Sequence, residues 1–156
     1  ISGKQDTYPG QMRLQGYLNA LKDGRLPIED SYICACDFSA ESAYRATRDL
    51  LKLETPPTAI FIGNNLMTLG CLNYLHSHNI RVPEDIAIVS FYEPDWASIC
   101  FSPLTCIDVS AYEMGTIAAE LLFERLSDAS FPKKEILLTP ELTIRKSCGY
   151  KKHLIP

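Results

Sequence analysis

Cysteine and histidine are the side chains of this chain best suited to covalent or metal chemistry, and their spacing supports neither. The six cysteines, Cys34, Cys36, Cys71, Cys100, Cys106 and Cys148, include no C-x-x-C pair of the kind that holds zinc or exchanges disulfides. Cys34 and Cys36 stand two apart on an expected strand and so share one face. They read as buried thiols in a reducing cytoplasm, with metal binding or redox sensing as the lesser alternative. His76 and His78 fall on or just after an expected helix, and His153 lies in the tail. None completes a Ser-His-Asp or Cys-His arrangement, and no Gly-rich phosphate loop is present. The residues point away from catalysis, and no cofactor or metal is expected.

The elements that position the remaining polar and aromatic groups alternate between short β-like and helical runs, the signature of a parallel sheet covered by helices. Residues 1–3 read as the stub of a strand and 6–10 as a loop. Residues 11–22 place Leu14, Tyr17, Leu18 and Leu21 on one helical face. A strand is expected over 31–38, then a helix over 41–53 with Ser39 as its cap and Ala43, Ala46, Leu50 and Leu53 inside. Residues 58–62 and 86–91 are continuous apolar runs, as strands buried on both faces should be. Between them, 66–77 is helical and apolar on more than one face: Met67, Cys71, Tyr74 and Leu75 form one stripe, and Leu66, Leu69 and Leu72 a second. Such a helix is either a central core helix or a subunit contact. A strand over 104–109 leads into a helix over 111–126, opened by the capping-box pattern Ser110-Ala111-Tyr112-Glu113. Two closing strands are expected over 135–139 and 141–146.

In open α/β sheets, ligands bind beyond the carboxyl ends of the strands. That rule selects Phe38, Asn64 and the residues after Phe91. Phe38 would offer an aromatic face, and Asn64 an amide that can both donate and accept. Each has a plainer alternative, Phe38 as core and Asn64 as a helix cap alone.

A net charge of −4 gives no basic footprint for nucleic acid. The nearest approach is the tail, with Arg145, Lys146, Lys151, Lys152 and His153, which reads as a solvated end. No apolar run approaches the ~20 residues of a membrane-spanning helix, and no membrane partner is expected. Ile1-Ser2-Gly3 resembles the end of a strand more than a natural start, so the chain reads as a piece of a longer protein.

Several segments, in shared order, resemble the lactose/galactose repressor (LacI/GalR) family of bacterial transcription regulators. Arg13-Leu14-Gln15-Gly16-Tyr17 is similar to the family's Arg-x-x-Gly-aromatic helix, and Asp37-Phe38 to its Asp-aromatic strand end. Asn64-Asn65-x-Met67-x-x-Gly70 is similar to its Asn-Asp-x-x-Ala-x-Gly turn. Val82-Pro83-Glu84-Asp85-Ile86, Pro103-Leu104-Thr105, Gly115 and Arg145-Lys146-Ser147 complete the set. The resemblance implies a periplasmic-binding-protein-like α/β fold: a parallel sheet flanked by helices, with one subdomain nearly complete and a piece of a second. It places about 1–103 and 140–150 in the C-terminal subdomain and about 104–139 in the other. The DNA-binding helix-turn-helix would lie outside this chain.

The same resemblance implies an effector cleft containing Arg13, Phe38 and Asn64, with Tyr92 and Glu93 at its further effector-contact position. A guanidinium there suits paired sugar hydroxyls or a carboxylate, with Arg13 as a plain surface charge the alternative. Two departures stand out. Asn65 holds a turn position that is usually acidic, and the family's Gly-Phe-Asp-Asp segment is here Ser90-Phe91-Tyr92-Glu93. Tyr92 cannot accept as a carboxylate does, so Glu93 takes over the role or the effector differs. The function implied is effector sensing and dimerisation, through Leu66, Leu69, Leu72, Trp96, Ile99 and Phe101. The partners implied are a sugar or sugar derivative, a second copy of the chain, and operator DNA bound through the absent domain, all in the cytoplasm. A periplasmic sugar-binding protein of a transport system shares the fold and is the alternative.

Overall fold

In the computed structural model, which describes residues 1–128 and 130–150, the first helix starts earlier than its apolar spacing suggests. α1 spans Tyr8–Asp23: the Thr7 hydroxyl accepts from the Gly10 N–H, and Pro9 sits in the first turn, where no backbone donor is needed. Gly10 is buried, and a Cβ there would lie 1.9 Å from the Lys4 carbonyl oxygen, so only glycine lets the loop fold back onto the helix start. The loop expected over 6–10 is therefore half helix. Lys151, Lys152 and His153 of the basic tail lie outside the described residues.

The remaining elements follow as α2 (Ala40–Leu50), β1 (Ala59–Ile62), α3 (Asn65–Ser77), β2 (Ala87–Phe91), β3 (Thr105–Asp108), α4 (Ala111–Ser127) and β4 (Glu141–Thr143). β1, β2 and β3 pair in parallel in that order, and β4 adds antiparallel to β3. Residues 1–3 extend the sheet on the β1 side. The Ile1 backbone nitrogen donates to the Phe61 carbonyl (2.8 Å), the Gly63 N–H to the Ile1 carbonyl (3.0 Å), and the Ser2 N–H to the Cys34 carbonyl (2.8 Å).

Three expectations need correction. The strand over 31–38 reduces to a single bridge between Ala35 and Ser2, preceded by a 3-10 turn at Asp30–Tyr32, because Ser2 is the only backbone it meets for pairing. No strand forms over 135–139, where Leu137 is exposed and nothing pairs with it, and the closing strand is only Glu141–Thr143. Third, β3 hydrogen-bonds to β2, so the segment expected to leave this sheet near residue 104 stays in it through Asp108. The α2 helix also ends at Leu50, three residues before its apolar stripe does.

α2 and α3 cover one face of the sheet. Ala43, Leu50, Met67, Cys71 and Leu75 pack with Ile60, Ile62, Ile88 and Cys106, all buried. At Gly70 a Cβ would stand 1.9 Å from the Ala40 carbonyl oxygen, so the two helices touch backbone to backbone where α2 begins. Buried hydroxyls tie this layer to the strands. Thr68 and Ser90 share a hydrogen bond of 2.8 Å; the Ser147 hydroxyl accepts from the Thr105 N–H (2.8 Å) and donates to the Ile88 carbonyl (2.7 Å). Each satisfies a polar group that would be costly to bury alone. α1, on the far side, turns Leu14, Tyr17, Leu18 and Leu21 inward only to half-burial.

α4 opens as expected, with the Ser110 hydroxyl accepting from the Glu113 N–H, but none of its residues is buried. Tyr112, Phe123 and Leu126 are exposed. Its apolar stripe is largely uncovered, with Ile117 and Leu121 half-buried beside residues 136–138. All six cysteines are free thiols, with Cys36, Cys71 and Cys106 buried. Burial pushes the Cys71 and Cys106 thiols up to about 11, the Glu93 carboxylate adding to the rise at Cys106.

Candidate functional site

The carboxyl ends of β1 and β2 gather the polar and aromatic groups. β1 runs out at Gly63, and Asn64 turns the chain in extended conformation (φ −168°) into α3. Its Oδ1 accepts from the Met67 N–H at 2.8 Å, and its carbonyl accepts from the Thr68 hydroxyl at 2.8 Å. Asn64 is therefore the cap its residue type suggests. With Oδ1 committed, what the side chain offers outward is its two Nδ2 donors.

Arg13 reaches this turn from α1. Its Nη1 donates to the Gly63 carbonyl at 2.6 Å, and its Cζ lies 4.1 Å from the Phe91 ring centroid and 5.7 Å from that of Tyr92. The guanidinium is half-buried, and desolvation lowers its pKa from the usual arginine value, with Tyr92 acting in the opposite direction. Arginine starts so high that it stays a cation. Arg13 is thus not a surface charge: one end of α1 is tied to the tips of two strands.

Phe38 and Tyr92 end their segments in left-handed backbone, at φ 67° and 76°. Neither is glycine, asparagine or aspartate, so each position costs on the order of 1 kcal/mol that the surroundings must offset. At Phe38 the ring packs against Gly3, where a Cβ would come within 1.9 Å of a ring carbon. At Tyr92 the backbone N–H donates to the Ile107 carbonyl (2.8 Å), which ties the turn to β3. The Tyr92 ring meets Phe91 edge to face, with centroids 5.4 Å apart. Strained backbone held this firmly is typical of binding sites, where it aims a side chain.

The nearby carboxylates all make contacts within the chain. Glu93 pairs with Arg145, whose Nη1 also donates to the Leu104 carbonyl at 2.8 Å. Asp108 Oδ1 accepts from the Glu93 N–H at 3.4 Å. Asp37 Oδ1 accepts from the Ser39 N–H (3.0 Å) and the Ser42 hydroxyl (2.6 Å), bonds that hold its carboxyl well below the usual carboxylate range.

Of the five site residues expected from sequence, the fold links Arg13, Asn64 and Tyr92 directly around Gly63 and Phe91. Phe38 stands next along the sheet, above Gly3, and Glu93 is turned into an ion pair. Gly63, Phe91 and Arg145 carry roles that side-chain reading missed. Gly63 contributes only its carbonyl, Phe91 looked like strand core, and Arg145 was noted only as part of the basic tail and the Arg-Lys-Ser ending.

A second region presents apolar side chains to solvent. On the outer face of α3, Leu66 and Leu69 are 53% and 42% exposed; in the 98–102 loop, Ile99 and Phe101 are 83% and 98% exposed. Leu72 and Trp96, also expected in the subunit contact, are half-buried and pack partly against the core.

Residues 1–148 match the family described as periplasmic binding protein-like domain. The ribose operon repressor of Escherichia coli K12 is 34% identical over 94% of this chain and 44% of its own length. A LacI-type transcriptional regulator from Bacillus cereus subsp. cytotoxis superposes with a TM-score of 0.88 at 35% identity, over 94% of this chain and 52% of that one. A complex of the transcriptional regulator CelR with cellobiose gives 0.87 at 31% identity, over 94% and 45%. The chain thus spans about half the length of the proteins it matches.

Proposed function

This chain belongs to the periplasmic binding protein-like domain family, on its branch of LacI-type transcriptional repressors, and from that premise we propose that it is the effector-sensing and dimerising portion of a bacterial transcription regulator. The observation that carries the reading is the cluster at the strand tips. A tethered guanidinium, the Asn64 amide donors and three aromatic rings sit where an open α/β sheet binds ligands. Cellobiose in the CelR complex supports a sugar or sugar derivative as effector.

In this reading, β1–β4 with α1–α3 form one wall of a cleft, and the segment from α4 to about residue 139 belongs to a second subdomain. The uncovered stripe of α4 supports that division. Effector binding favours one arrangement of the two subdomains, and that arrangement sets the spacing of DNA-binding heads carried outside this chain. A ligand with equal affinity for both arrangements would change nothing. Leu66, Leu69, Ile99 and Phe101 form the contact with a second copy. The protein acts by binding and not by catalysis, in the cytoplasm with its operator. The repressor relatives favour this over a transport component.

The test is selection of bound DNA from a random pool with the whole protein, followed by addition of sugars to the selected complex. Ligand-dependent release or tightening supports the reading. A protein that selects no DNA sequence contradicts it.

A further inference from the structure

Resting on that effector-site reading, we infer that the ligand presents an oxyanion, a carboxylate or phosphate, to Arg13: an acidic sugar derivative is recognised in preference to a neutral sugar. The inference follows from which hydrogen-bonding groups are still available at the strand tips. Arg13 carries five N–H donors and no acceptor. One of its nitrogens serves the Gly63 carbonyl, and it pairs with no carboxylate among the described residues. Asn64 has given its oxygen to the Met67 N–H and keeps only donors. The side chains facing outward are therefore rich in donors and poor in acceptors.

A neutral sugar needs acceptors as well as donors. Each hydroxyl brings a proton that must find an acceptor, and a carboxylate is the usual strong one. Here Glu93 is paired with Arg145, while Asp108 and Asp37 each have one oxygen hydrogen-bonded, to the Glu93 N–H and to Ser39 and Ser42, and neither pairs with Arg13. An acid at position 92 would have met both needs, neutralising Arg13 and accepting hydroxyl protons. Tyr92 does neither as an anion: its ring centroid stands 5.7 Å from the guanidinium carbon and leaves the positive charge in place. A half-buried cation stacked on Phe91, without a counter-ion, is completed by an anionic ligand. The guanidinium fork matches the paired oxygens of a carboxylate or phosphate in geometry as well as charge.

The experiment is calorimetric titration of the whole protein with two matched pairs, galactose against galacturonate and ribose against ribose 5-phosphate. The anionic member of at least one pair binds about tenfold or more tightly than its neutral partner, as a charge-assisted contact requires. The pair that responds identifies the oxyanion as carboxylate or phosphate. Arg13→Gln brings the two members of that pair to within about threefold. Tyr92→Asp does the same by repelling the oxyanion; aspartate accepts left-handed backbone better than tyrosine, so this variant keeps its melting temperature and separates charge from misfolding. A neutral sugar binding as tightly as its acidic partner in both pairs overturns the inference, as does binding of none of the four. The effector reading itself is judged separately, by ligand-dependent DNA binding, and survives either result.

Discussion

The Arg13 guanidinium is clamped between a carbonyl and a ring, with Nη1 2.6 Å from the Gly63 oxygen and Cζ 4.1 Å from the Phe91 centroid. α1 is thereby fastened to the ends of β1 and β2 at the point where a ligand would meet all three. Binding and local stability share one residue. Arg13→Ala loses a charge-assisted hydrogen bond and a cation–π contact, and is expected to lower unfolding stability by about 1–2 kcal/mol. Urea unfolding of the variant checks this; a midpoint matching the native protein would show the clamp to be idle.

Buried serines make a sharper pair. Ser147 bridges the Thr105 N–H and the Ile88 carbonyl, whereas the buried Ser102 hydroxyl has no hydrogen-bond partner among the described residues. Ser147→Ala strands a buried donor and should cost about 1–3 kcal/mol, while Ser102→Ala should be neutral or mildly stabilising. Equal effects at both positions in a denaturant titration would contradict the hydrogen-bond assignment.

Thiol reactivity should follow burial. With the Cys71 and Cys106 thiols pushed up to about 11, almost none of either is thiolate at pH 8. Iodoacetamide on the native protein, read by peptide mass spectrometry, is expected to label Cys148 well before Cys71 or Cys106. Early labelling of Cys71 would mean that the α2–α3 layer opens readily.

The turn before β2 carries an acid-labile contact. Arg81 side-chain and backbone N–H groups hold the Asp85 carboxyl at about 2, below its ordinary 3.8. A depressed folded-state pKa means that the unfolded chain binds the proton first. The contribution is complete above 3.8 and is lost as pH falls through about 2. Asp85→Asn should flatten the fall in melting temperature across that window and leave the profile between pH 6 and pH 8 parallel to the native one. The pair is exposed, so the effect is small.

Phe101 is 98% exposed and contributes nothing to the described core. Phe101→Asp should leave the circular dichroism spectrum unchanged and convert a dimer to monomer in sedimentation velocity. A dimer that persists would move the subunit contact away from the 98–102 loop.

Much of this fold was legible because each βα unit announces itself twice. The run Ala-Ile-Phe-Ile ends at an Asn that both caps α3 and lies at a strand tip, and the Asn64 cap forms as its residue type requires. The elements that failed were those whose structure depends on a neighbour. Residues 31–38 have strand composition, yet pair only where Ser2 reaches Ala35; residues 135–139 have it too, and meet no partner strand. In the site, the strand-tip rule led to Phe38, Asn64 and the residues after Phe91, and the family resemblance to Arg13. The Gly63 carbonyl could not be read from sequence, because every residue has one. Nor could the capture of Glu93 by Arg145, a contact across 52 positions made where the chain after β4 runs beside β3 and bonds to Thr105. The left-handed backbone at Phe38 and Tyr92 was equally hidden, since neither residue type favours it.

The central claim is that the tips of β1 and β2 form the effector wall. The most direct test is to find a stabilising ligand for the whole protein by thermal shift, then measure its affinity for the native protein, Arg13→Ala and Phe38→Ala. A ligand that binds only the folded state raises the melting temperature. The account expects both variants to stay folded and to bind that ligand at least about tenfold more weakly, a loss of roughly 1.4 kcal/mol or more. Undiminished affinity in both would place the effector elsewhere and contradict the account.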